Sequence, residues 1–347
     1  MTDTTALLPV HVISGFLGSG KTTLLKSVLA SEAFGDSAVL INEFGDVGLD
    51  NRLLGEIAEE AVLLSSGCVC CTIRGELSQA LQRLLSQRQN GEIPAFKRIV
   101  LETTGLADPG PIASTITVDP VLRHHLRPGT NLTLVDAVNA IDSRQQHPVW
   151  EAQVAVADKL VISKTDLVDT AQLDRIHELL NAINPAAQCL NREALKQPSE
   201  ALFASGPHLG RFTRAGVRAW LGPWRKAASP VTDDHLGNVE AFRLVFDREL
   251  DWACFGLWLS MLLNRHGSDI MRVKGVLHVR DDPRPVVLHG VQHTIHPPEH
   301  IDVWPDDDRV SELIFITRGI TAGRVSDSLE AFMGAVSDHP CPRISHA

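Results

Sequence analysis

The sequence predicts an α/β fold, a parallel sheet flanked by helices, followed by a smaller α+β domain. Three observations lead to this prediction. Short apolar runs alternate with helical stretches through the first half of the chain, and a glycine-rich loop follows the first of these runs. From about residue 237 onward, runs typical of strands and two apolar helices follow one another without that alternation.

The first domain contains the pattern of a parallel sheet covered on both faces. We expect its helix after the glycine-rich loop at residues 21–30 and its strands at residues 10–14, 38–42, 98–102, 132–136 and 159–163. Each strand ends in a small or polar residue, namely Ser14, Asn42, Glu102, Asp136 and Ser163. Ligands of open parallel sheets bind at the carboxyl ends of the strands, so a site is expected there.

The sequence from residue 196 onward predicts a linker followed by a separate domain. Residues 196–236 are rich in Pro, Gly and Ser, with one short helix expected at 214–221. Strands are expected at 239–246, 271–278, 286–292 and 312–317, and helices at 252–264 and 325–336. The resulting organisation is a P-loop domain at 1–195, a linker at 196–236, an α+β domain at 237–337 and a tail at 338–347. We expect Trp252, Phe255 and Trp258 in the second core.

Composition narrows the class of protein. With 347 residues the chain exceeds one ordinary domain. Its formal net charge of −10 argues against a nucleic-acid binder, which usually presents a basic face. No apolar run is long enough to span a membrane, and the first residues lack the pattern of a secretory signal, so we expect no membrane association and a cytoplasmic location.

Residues 15–22 fit the P-loop pattern G-x-x-x-x-G-K-[ST], between a predicted strand and a predicted helix. Glycines let backbone N–H groups surround phosphate oxygens, and the helix adds its positive end. Lys21 is expected to bridge the β- and γ-phosphates, and the Thr22 hydroxyl to bind Mg²⁺. The predicted nucleotide-binding residues of this loop are Gly15, Gly18, Ser19, Gly20, Lys21, Thr22 and Thr23.

Two later segments supply the other parts of a nucleotide site. Glu102 ends an apolar strand and would organise Mg²⁺ and the attacking water, which makes Lys21, Thr22 and Glu102 the predicted catalytic residues. Gly105 would let a backbone N–H approach the γ-phosphate. In residues 163–166, the Asp166 carboxylate is placed to accept two hydrogen bonds from guanine, with the Lys164 stem against the base, which favours GTP over ATP.

Cys68, Cys70 and Cys71 lie within four residues, between the second predicted strand and the Glu102 strand. Thiolates suit Zn²⁺, and Co²⁺, Cu⁺ or Ni²⁺ are alternatives. Three ligands leave one position for exchange, as a transfer site requires. A redox dithiol and plain buried cysteines are the competing interpretations. Glu43 follows the second strand and would complete a metal shell, assist Mg²⁺ or face solvent.

These motifs in this order resemble the CobW family of P-loop GTPases, close to its YjiA-like members. The residues that carry the resemblance are 15–23, 42–45, 67–71, 102–109, 163–166, 272–275, 290–292 and 313–316. Two positions depart from relatives. Ser163 stands where many GTPases have Asn, and Ile41 where some relatives carry a carboxylate. The histidine-rich stretch frequent in the family is also replaced by scattered histidines.

The resemblance implies slow GTP hydrolysis, Zn²⁺ or Co²⁺ binding at the cysteines, and delivery of metal to a client metalloprotein, and it leaves a homo-oligomer open. The alternative is a non-catalytic zinc buffer or sensor that uses nucleotide as a conformational ligand. A P-loop kinase would need an Arg-rich lid, which the sequence lacks.

His293, His296 and His300 share one loop and form either a weaker second metal site or a solvated loop. Asp306, Asp307 and Asp308 are expected in a solvated turn.

Overall fold

The computed structural model describes residues 7–42, 61–64, 72–190, 200–204, 213–221, 239–307, 309–337, 339 and 342–346. The chain divides into two compact units. The first consists of Met1–Ile176 and Cys189–Ser205, and the second of His177–Gln188 and Gly206–Ala347. Helices and strands are numbered below over the described residues. None of the described helices is both long and apolar enough to cross a bilayer.

The first unit is built on a sheet with the strand order β3-β2-β4-β1-β5-β6-β7. The strands from β3 through β6 pair in parallel, which confirms the predicted sheet type. The carboxyl ends of these strands therefore share one edge. The strands are β1 (Leu8–Gly15), β2 (Ser37–Asn42), β3 (Ala61–Leu64), β4 (Arg98–Glu102), β5 (Leu126–Asp136), β6 (Lys159–Ser163) and β7 (Gln188–Leu190).

Helices cover both faces of this sheet. Ile13 of β1 joins a core cluster with Leu24 and Leu25 of the first helix. Val10 and Val12 point to the opposite face, because side chains alternate along a strand, and there they join Leu81 of the second helix. The helices are α1 (Lys21–Leu29), α2 (Thr72–Asn90), α3 (Gly110–Val118), α4 (Ala140–Gln146), α5 (Pro148–Val156) and α6 (Thr170–Ile183). Short 3₁₀ turns lie at Glu32–Phe34, Leu122–His124, Thr165–Leu167 and Glu200–Leu202.

The second unit contains an antiparallel sheet with the order β11-β10-β9-β13-β8-β14, and β12 pairs with β10. The last strand lies within the segment expected to be a tail. The strands are β8 (Val239–Phe246), β9 (Ile270–Leu277), β10 (Val286–Val291), β11 (Thr294–Ile295), β12 (Glu299–His300), β13 (Ser311–Arg318) and β14 (Ile344–His346). Its helices are α7 (Arg214–Leu221), α8 (Trp252–His266) and α9 (Ala322–Val336).

Helices α8 and α9 supply the apolar cover of this sheet. Phe255 and Trp258 lie in the core cluster, as expected. The prediction for Trp252 was wrong, because its side chain is 37% exposed. Trp252 is the first residue of α8, so its ring contacts that of Phe255 on one side, with centroids 6.3 Å apart, and meets solvent on the other. The side chain of Asp251 caps the helix by accepting a hydrogen bond from the Cys254 N–H at 3.1 Å.

Residues 306–308, which were expected to form a solvated turn, include two aspartates that are ion-paired with α7. Asp306 accepts a hydrogen bond from Arg218 of α7, and Asp307 accepts one from Arg214, both at 2.6 Å. The side chain of Asp307 is 86% exposed, as a solvated turn predicts, whereas that of Asp306 is only 22% exposed. The prediction was therefore wrong for Asp306, whose side chain is mostly buried and ion-paired with Arg218. Asp308 lies outside the described residues.

Candidate nucleotide site

The P-loop begins where β1 ends and closes where α1 starts. Gly15 has a φ of 137°, Gly18 of 73° and Gly20, the residue before α1, of 96°. All three angles lie where side chains other than glycine are strained. At Gly15 the constraint is doubled, because an added Cβ would lie 2.4 Å from the Leu134 carbonyl oxygen of the neighbouring strand β5. The glycines of the motif are thus required by backbone geometry.

Lys21 is buried at the first position of α1, with only 8% of its surface exposed. Its ammonium group donates to the carbonyl oxygens of Gly15 at 2.9 Å and Phe16 at 3.1 Å. Burial lowers the pKa of Lys21 below its ordinary value, and the carboxylate of Glu102 acts in the opposite direction. The loop therefore encloses a cation beside an N-terminal helix end, which is the electrostatic requirement for binding a polyphosphate.

Thr22 and Glu102 meet at the carboxyl edge of the sheet. The Thr22 hydroxyl donates to Glu102 Oε1 at 2.8 Å, although the two residues are 80 positions apart in sequence. Glu102 is buried and ends β4, next to β1. A hydroxyl and a carboxylate at this distance from one another are oxygen ligands of the kind Mg²⁺ prefers. The structure therefore brings together two of the three residues predicted to be catalytic, with Lys21 adjacent in sequence.

The loop that follows β4, residues 103–109, is called here the β4–α3 loop. It passes very close to the P-loop. A Cβ added to Gly105 would lie 2.6 Å from the Leu17 backbone nitrogen. Only glycine fits such an approach without displacing the P-loop backbone, since contacts under 3.0 Å are not tolerated. The predicted role of Gly105 near the phosphates is compatible with this position.

Residues 163–166, which are predicted to recognise the base and are called here the base-recognition segment, begin at the last residue of β6. Lys164 adopts a left-handed conformation with a φ of 56°, and its ammonium lies 2.8 Å from Asp136 Oδ2. Burial raises the pKa of Asp136, but hydrogen bonds from Lys164, Asn139 and the Val138 N–H outweigh that effect, so its pKa lies below the ordinary value. The ion pair fixes the Lys164 side chain along the end of β5. Asp166 follows in a 3₁₀ turn and is exposed, so its carboxylate is accessible to a ligand.

Ser163 connects the base-recognition segment to the P-loop. Its hydroxyl donates to the Ser19 carbonyl at 2.8 Å, 144 positions away in sequence, and Ser163 is buried. The residue that departs from the usual asparagine therefore links the segment after β6 to the P-loop.

Comparison with known families agrees with this geometry. Residues 9–191, more than half of the chain, match the family described as CobW/HypB/UreG, nucleotide-binding domain. Residues 239–333 match the C-terminal domain of the cobalamin synthesis protein CobW. This chain belongs to the CobW/HypB/UreG family. The resemblance inferred from the motifs is thereby confirmed.

Two relatives of this family member are similar over more than four fifths of its length. The zinc chaperone YjiA of Escherichia coli strain K12 is 31% identical over 310 residues, which cover 89% of this chain and 93% of that one. The zinc chaperone CobW of Sinorhizobium sp is 31% identical over 311 residues, covering 82% and 85%. The crystal structure of the Zn(II)-bound YjiA GTPase from E. coli matches with a TM-score of 0.66 at 26% identity, covering 94% and 99%.

The predicted metal ligands Cys68, Cys70, Cys71 and Glu43 lie outside the described residues. The described elements nevertheless define where the cysteine segment joins the fold. Strand β3 ends at Leu64, which pairs in register with the last residue of β2, and Ile41 of β2 pairs with Glu102 of β4. The chain thus leaves the sheet for the cysteine segment at the same edge as the P-loop and Glu102.

The three loop histidines of the CobW-type C-terminal domain have separate neighbours. His293 Nδ1 lies 2.9 Å from the Leu263 carbonyl oxygen. The ring of His296 packs against that of His289, with centroids 3.9 Å apart, while His300 lies 3.1 Å from an Asp282 carboxylate oxygen. Among the described residues, no group of three or more His, Cys, Asp or Glu side chains is arranged to hold a metal ion. The solvated-loop interpretation was wrong for His296, which is 4% exposed and whose backbone N–H donates to the His289 carbonyl of β10 at 3.0 Å.

Three contributors to this site were missed from the sequence. Asp136 was noted as a strand end, but its pairing with Lys164 was not foreseen. His147, at the start of α5, stacks on Phe16 of the P-loop with ring centroids 4.5 Å apart. Gln153 donates from its amide to carbonyls of the β4–α3 loop. The available signal for Gln153 was a lone amide among the apolar residues of α5.

Proposed function

We propose that this chain is a GTP-hydrolysing zinc metallochaperone, which couples its nucleotide state to transfer of Zn²⁺ or Co²⁺ to a client metalloprotein. The observation that carries the proposal is the Thr22–Glu102 hydrogen bond beside the P-loop lysine. It occurs in a family member whose full-length relatives are named zinc chaperones. One of those relatives is also named a GTPase in its zinc-bound form.

The phosphate end of GTP would lie on the P-loop. Lys21 would exchange one of its two backbone acceptors for β- and γ-phosphate oxygens, which offer it full negative charge. Bound Mg²⁺ would supply charge neutralisation to the leaving and transferred phosphates. Thr22 would provide a ligand to it, and Glu102, already hydrogen-bonded to Thr22, would orient that hydroxyl and the attacking water.

No described side chain near Glu102 and Lys21 is assigned as a general base. Hydrolysis then depends on positioning and on electrostatic stabilisation of the transferred phosphoryl group. We therefore expect turnover to be slow until a partner or metal completes the site. This slowness suits a switch, since the triphosphate state must last long enough to act.

The metal part of the proposal rests on the sequence. Cys68, Cys70 and Cys71, with Glu43, would hold the transferred ion as cargo, because thiolates bind Zn²⁺ strongly and three of them leave a position for a client ligand. Their segment begins at the edge of the sheet that carries the P-loop. A change in the phosphates would thus reach the metal through a short path of backbone.

Zinc titration of the purified protein tests the proposal. We expect one ion to bind tightly, with an affinity that differs between the GDP-bound and GTP-analogue-bound protein by about fivefold or more, within the range usual for coupled sites. Cys70→Ser should abolish this binding. Cys189→Ser is the matched control, because Cys189 lies outside the cysteine motif on the short strand β7 and should leave zinc affinity unchanged.

Two results would contradict the proposal. Equal zinc affinity in both nucleotide states would remove the coupling between nucleotide and metal. Phosphate release that stays at background with every metal tested would instead favour a zinc buffer or sensor, for which nucleotide is only a conformational ligand. The first result is read from zinc affinity and the second from phosphate release, so the two failures are distinguishable.

A further inference from the structure

Gln153 is a buried amide inside an apolar helix. It is 1% exposed, and the residues beside it in α5, from Ala152 to Val156, are buried as well. Burying an amide among apolar side chains is unfavourable unless its hydrogen bonds are made. A residue chosen only for packing at this position would be apolar, so the amide requires a separate explanation.

Both hydrogens of the Gln153 amide are directed at one loop. Nε2 donates to the Gly105 carbonyl at 3.1 Å and to the Ala107 carbonyl at 2.9 Å. Because carbonyl oxygens can only accept, the orientation of the amide is fixed by its partners. The side-chain oxygen, in contrast, is buried and has no hydrogen-bond partner among the described residues. The orientation of the amide therefore satisfies both N–H donors and leaves the oxygen without a hydrogen bond among the described residues.

The loop that Gln153 holds is the one that approaches the P-loop. Gly105 passes so close to Leu17 that no side chain fits between them. The other hydrogen bonds of the loop backbone are local or lie at its start: the Thr103 N–H donates to the Ile13 carbonyl at 3.0 Å, the Ala107 N–H to the Thr104 carbonyl at 3.1 Å, and the Leu106 N–H to the Thr104 hydroxyl at 3.3 Å. The two Gln153 hydrogen bonds add a connection from helix α5 to the part of the loop between Gly105 and Ala107.

The same helix also contacts the P-loop. His147, the residue before α5, stacks on Phe16 with an angle of 29° between the rings. The carbonyl of Gln153 accepts a hydrogen bond from the Thr133 hydroxyl of β5 at 3.0 Å, which anchors the helix to the sheet. One anchored helix thus supports both loops that face the phosphates.

We propose that Gln153 is a positioning residue for recognition of the third phosphate. It holds the β4–α3 loop at the distance from the P-loop at which Gly105 can meet a γ-phosphate, and so separates the affinity for GTP from that for GDP. This inference rests on the proposed GTPase function of the site. Gln153 does not touch the nucleotide; it acts through the carbonyls of Gly105 and Ala107.

Gln153→Met tests this role, since methionine has a similar length and no donor. Affinities for GDP and for the non-hydrolysable analogue guanosine 5′-(β,γ-imido)triphosphate are measured by calorimetry in the presence of Mg²⁺. We expect analogue binding to weaken about tenfold, equivalent to about 1.4 kcal/mol, while GDP binding changes less than about twofold. The turnover number should fall with the analogue affinity.

Gln82→Met is the matched control. Gln82 of α2 also donates two hydrogen bonds, to Ser78 Oγ and Asp119 Oδ2, each at 3.1 Å, but touches neither phosphate loop. It should lower thermal stability without altering the ratio of analogue to GDP affinity. If Gln153→Met left the ratio of analogue to GDP affinity unchanged, whether or not both affinities fell, Gln153 would be a structural residue only and the inference would be overturned.

A second variant covers the case in which Gln153→Met fails to fold. Gln153→Glu keeps the shape, and a carboxyl buried here is expected to be protonated, so that it donates one hydrogen instead of two. The ratio of analogue to GDP affinity in Gln153→Glu should lie between that of wild type and the tenfold lower ratio expected for Gln153→Met. A ratio equal to that of wild type would also overturn the inference. If wild type itself bound no GTP analogue, the proposed function would fail, whatever the behaviour of Gln153.

Discussion

Asp166 is the residue that we predict to select the nucleotide. It is exposed in a short 3₁₀ turn just after β6, and the residues before it are fixed in two directions. Ser163 is bonded to the P-loop backbone and Lys164 to Asp136. The backbone that presents the Asp166 carboxylate is therefore held by the P-loop through Ser163 and by the end of β5 through Lys164. Its two oxygens match the two adjacent donors of guanine, which adenine lacks.

Asp166→Asn should change the base that is preferred. An amide offers one donor and one acceptor, which fits xanthine, whose C2 carries a carbonyl in place of the amino group of guanine. We expect affinity for GTP to fall by about 100-fold or more and affinity for XTP to rise, because a site built for one hydrogen-bond pattern rejects its inverse strongly. Competition binding with labelled nucleotide measures both.

Asp174→Asn makes the same charge change at an exposed position of α6 and should leave the preference for GTP intact. If Asp166→Asn kept its preference for GTP, base recognition would have to be assigned to another residue. If wild type preferred ATP, the guanine interpretation would be wrong from the start.

At the scale of elements, the longer strands of both units were predictable, whereas the short strands β3, β7, β11, β12 and β14 were not. β1, β2, β4 and β6 appear in the sequence as short apolar runs. β5 begins six residues earlier than expected, because Arg127, Pro128 and Gly129 interrupt its apolar pattern. Its pairing with β1 shifts register between Val10 and Val12, and such an irregularity depends on the partner strand rather than on local sequence.

The candidate site shows the same division. The P-loop, Glu102 and the segment ending in Asp166 follow from motifs whose spacing is set by local chemistry. The contacts of Gln153 with the β4–α3 loop and of Ser163 with the P-loop join positions 46 to 144 residues apart, and no local pattern encodes them. Sequence reasoning therefore proposed the ligand-facing residues and missed the residues that support them.

The β1–β5 pairing also contains a buried histidine with a testable pH effect. His11 Nδ1 accepts a hydrogen bond from the Thr130 N–H at 3.0 Å. Burial, and then the nearby cations Arg127 and Arg98, lower the pKa of His11 to about 3. In the unfolded chain this histidine binds a proton near pH 6.5, whereas in the folded protein it does so only near pH 3. The free energy of unfolding therefore falls by about 1.4 kcal/mol per pH unit as the pH decreases from about 6.5, and the effect levels off below about 3.

His11→Asn should remove this dependence, because its side-chain oxygen can still accept from the Thr130 N–H but does not titrate. Between pH 7 and pH 5, wild type should lose about 2 kcal/mol more of its free energy of unfolding than the variant, measured by urea denaturation. The exposed His177→Asn serves as control and should follow wild type. Parallel pH profiles for wild type and His11→Asn would show that His11 is protonated in the folded protein.

At the scale of the whole molecule, the proposed coupling must act in both directions. The P-loop, Glu102 and the end of β3 share one edge of the sheet, and the cysteine segment begins there. If GTP in place of GDP changes the affinity for zinc by some factor, zinc must change the preference for GTP over GDP by the same factor. This reciprocity holds for any path through the protein, so it tests the coupling without knowledge of the intervening conformations.

Nucleotide affinities measured without zinc and with saturating zinc therefore give an independent prediction. We expect zinc to change the ratio of GTP-analogue to GDP affinity by the factor found in the zinc titrations, about fivefold or more, and to change nothing in Cys70→Ser. A zinc effect that persisted in Cys70→Ser would assign it to a different metal site. A wild-type ratio indifferent to zinc would mean that metal and nucleotide bind independently, and a protein of that kind could store zinc but could not use GTP hydrolysis to release it.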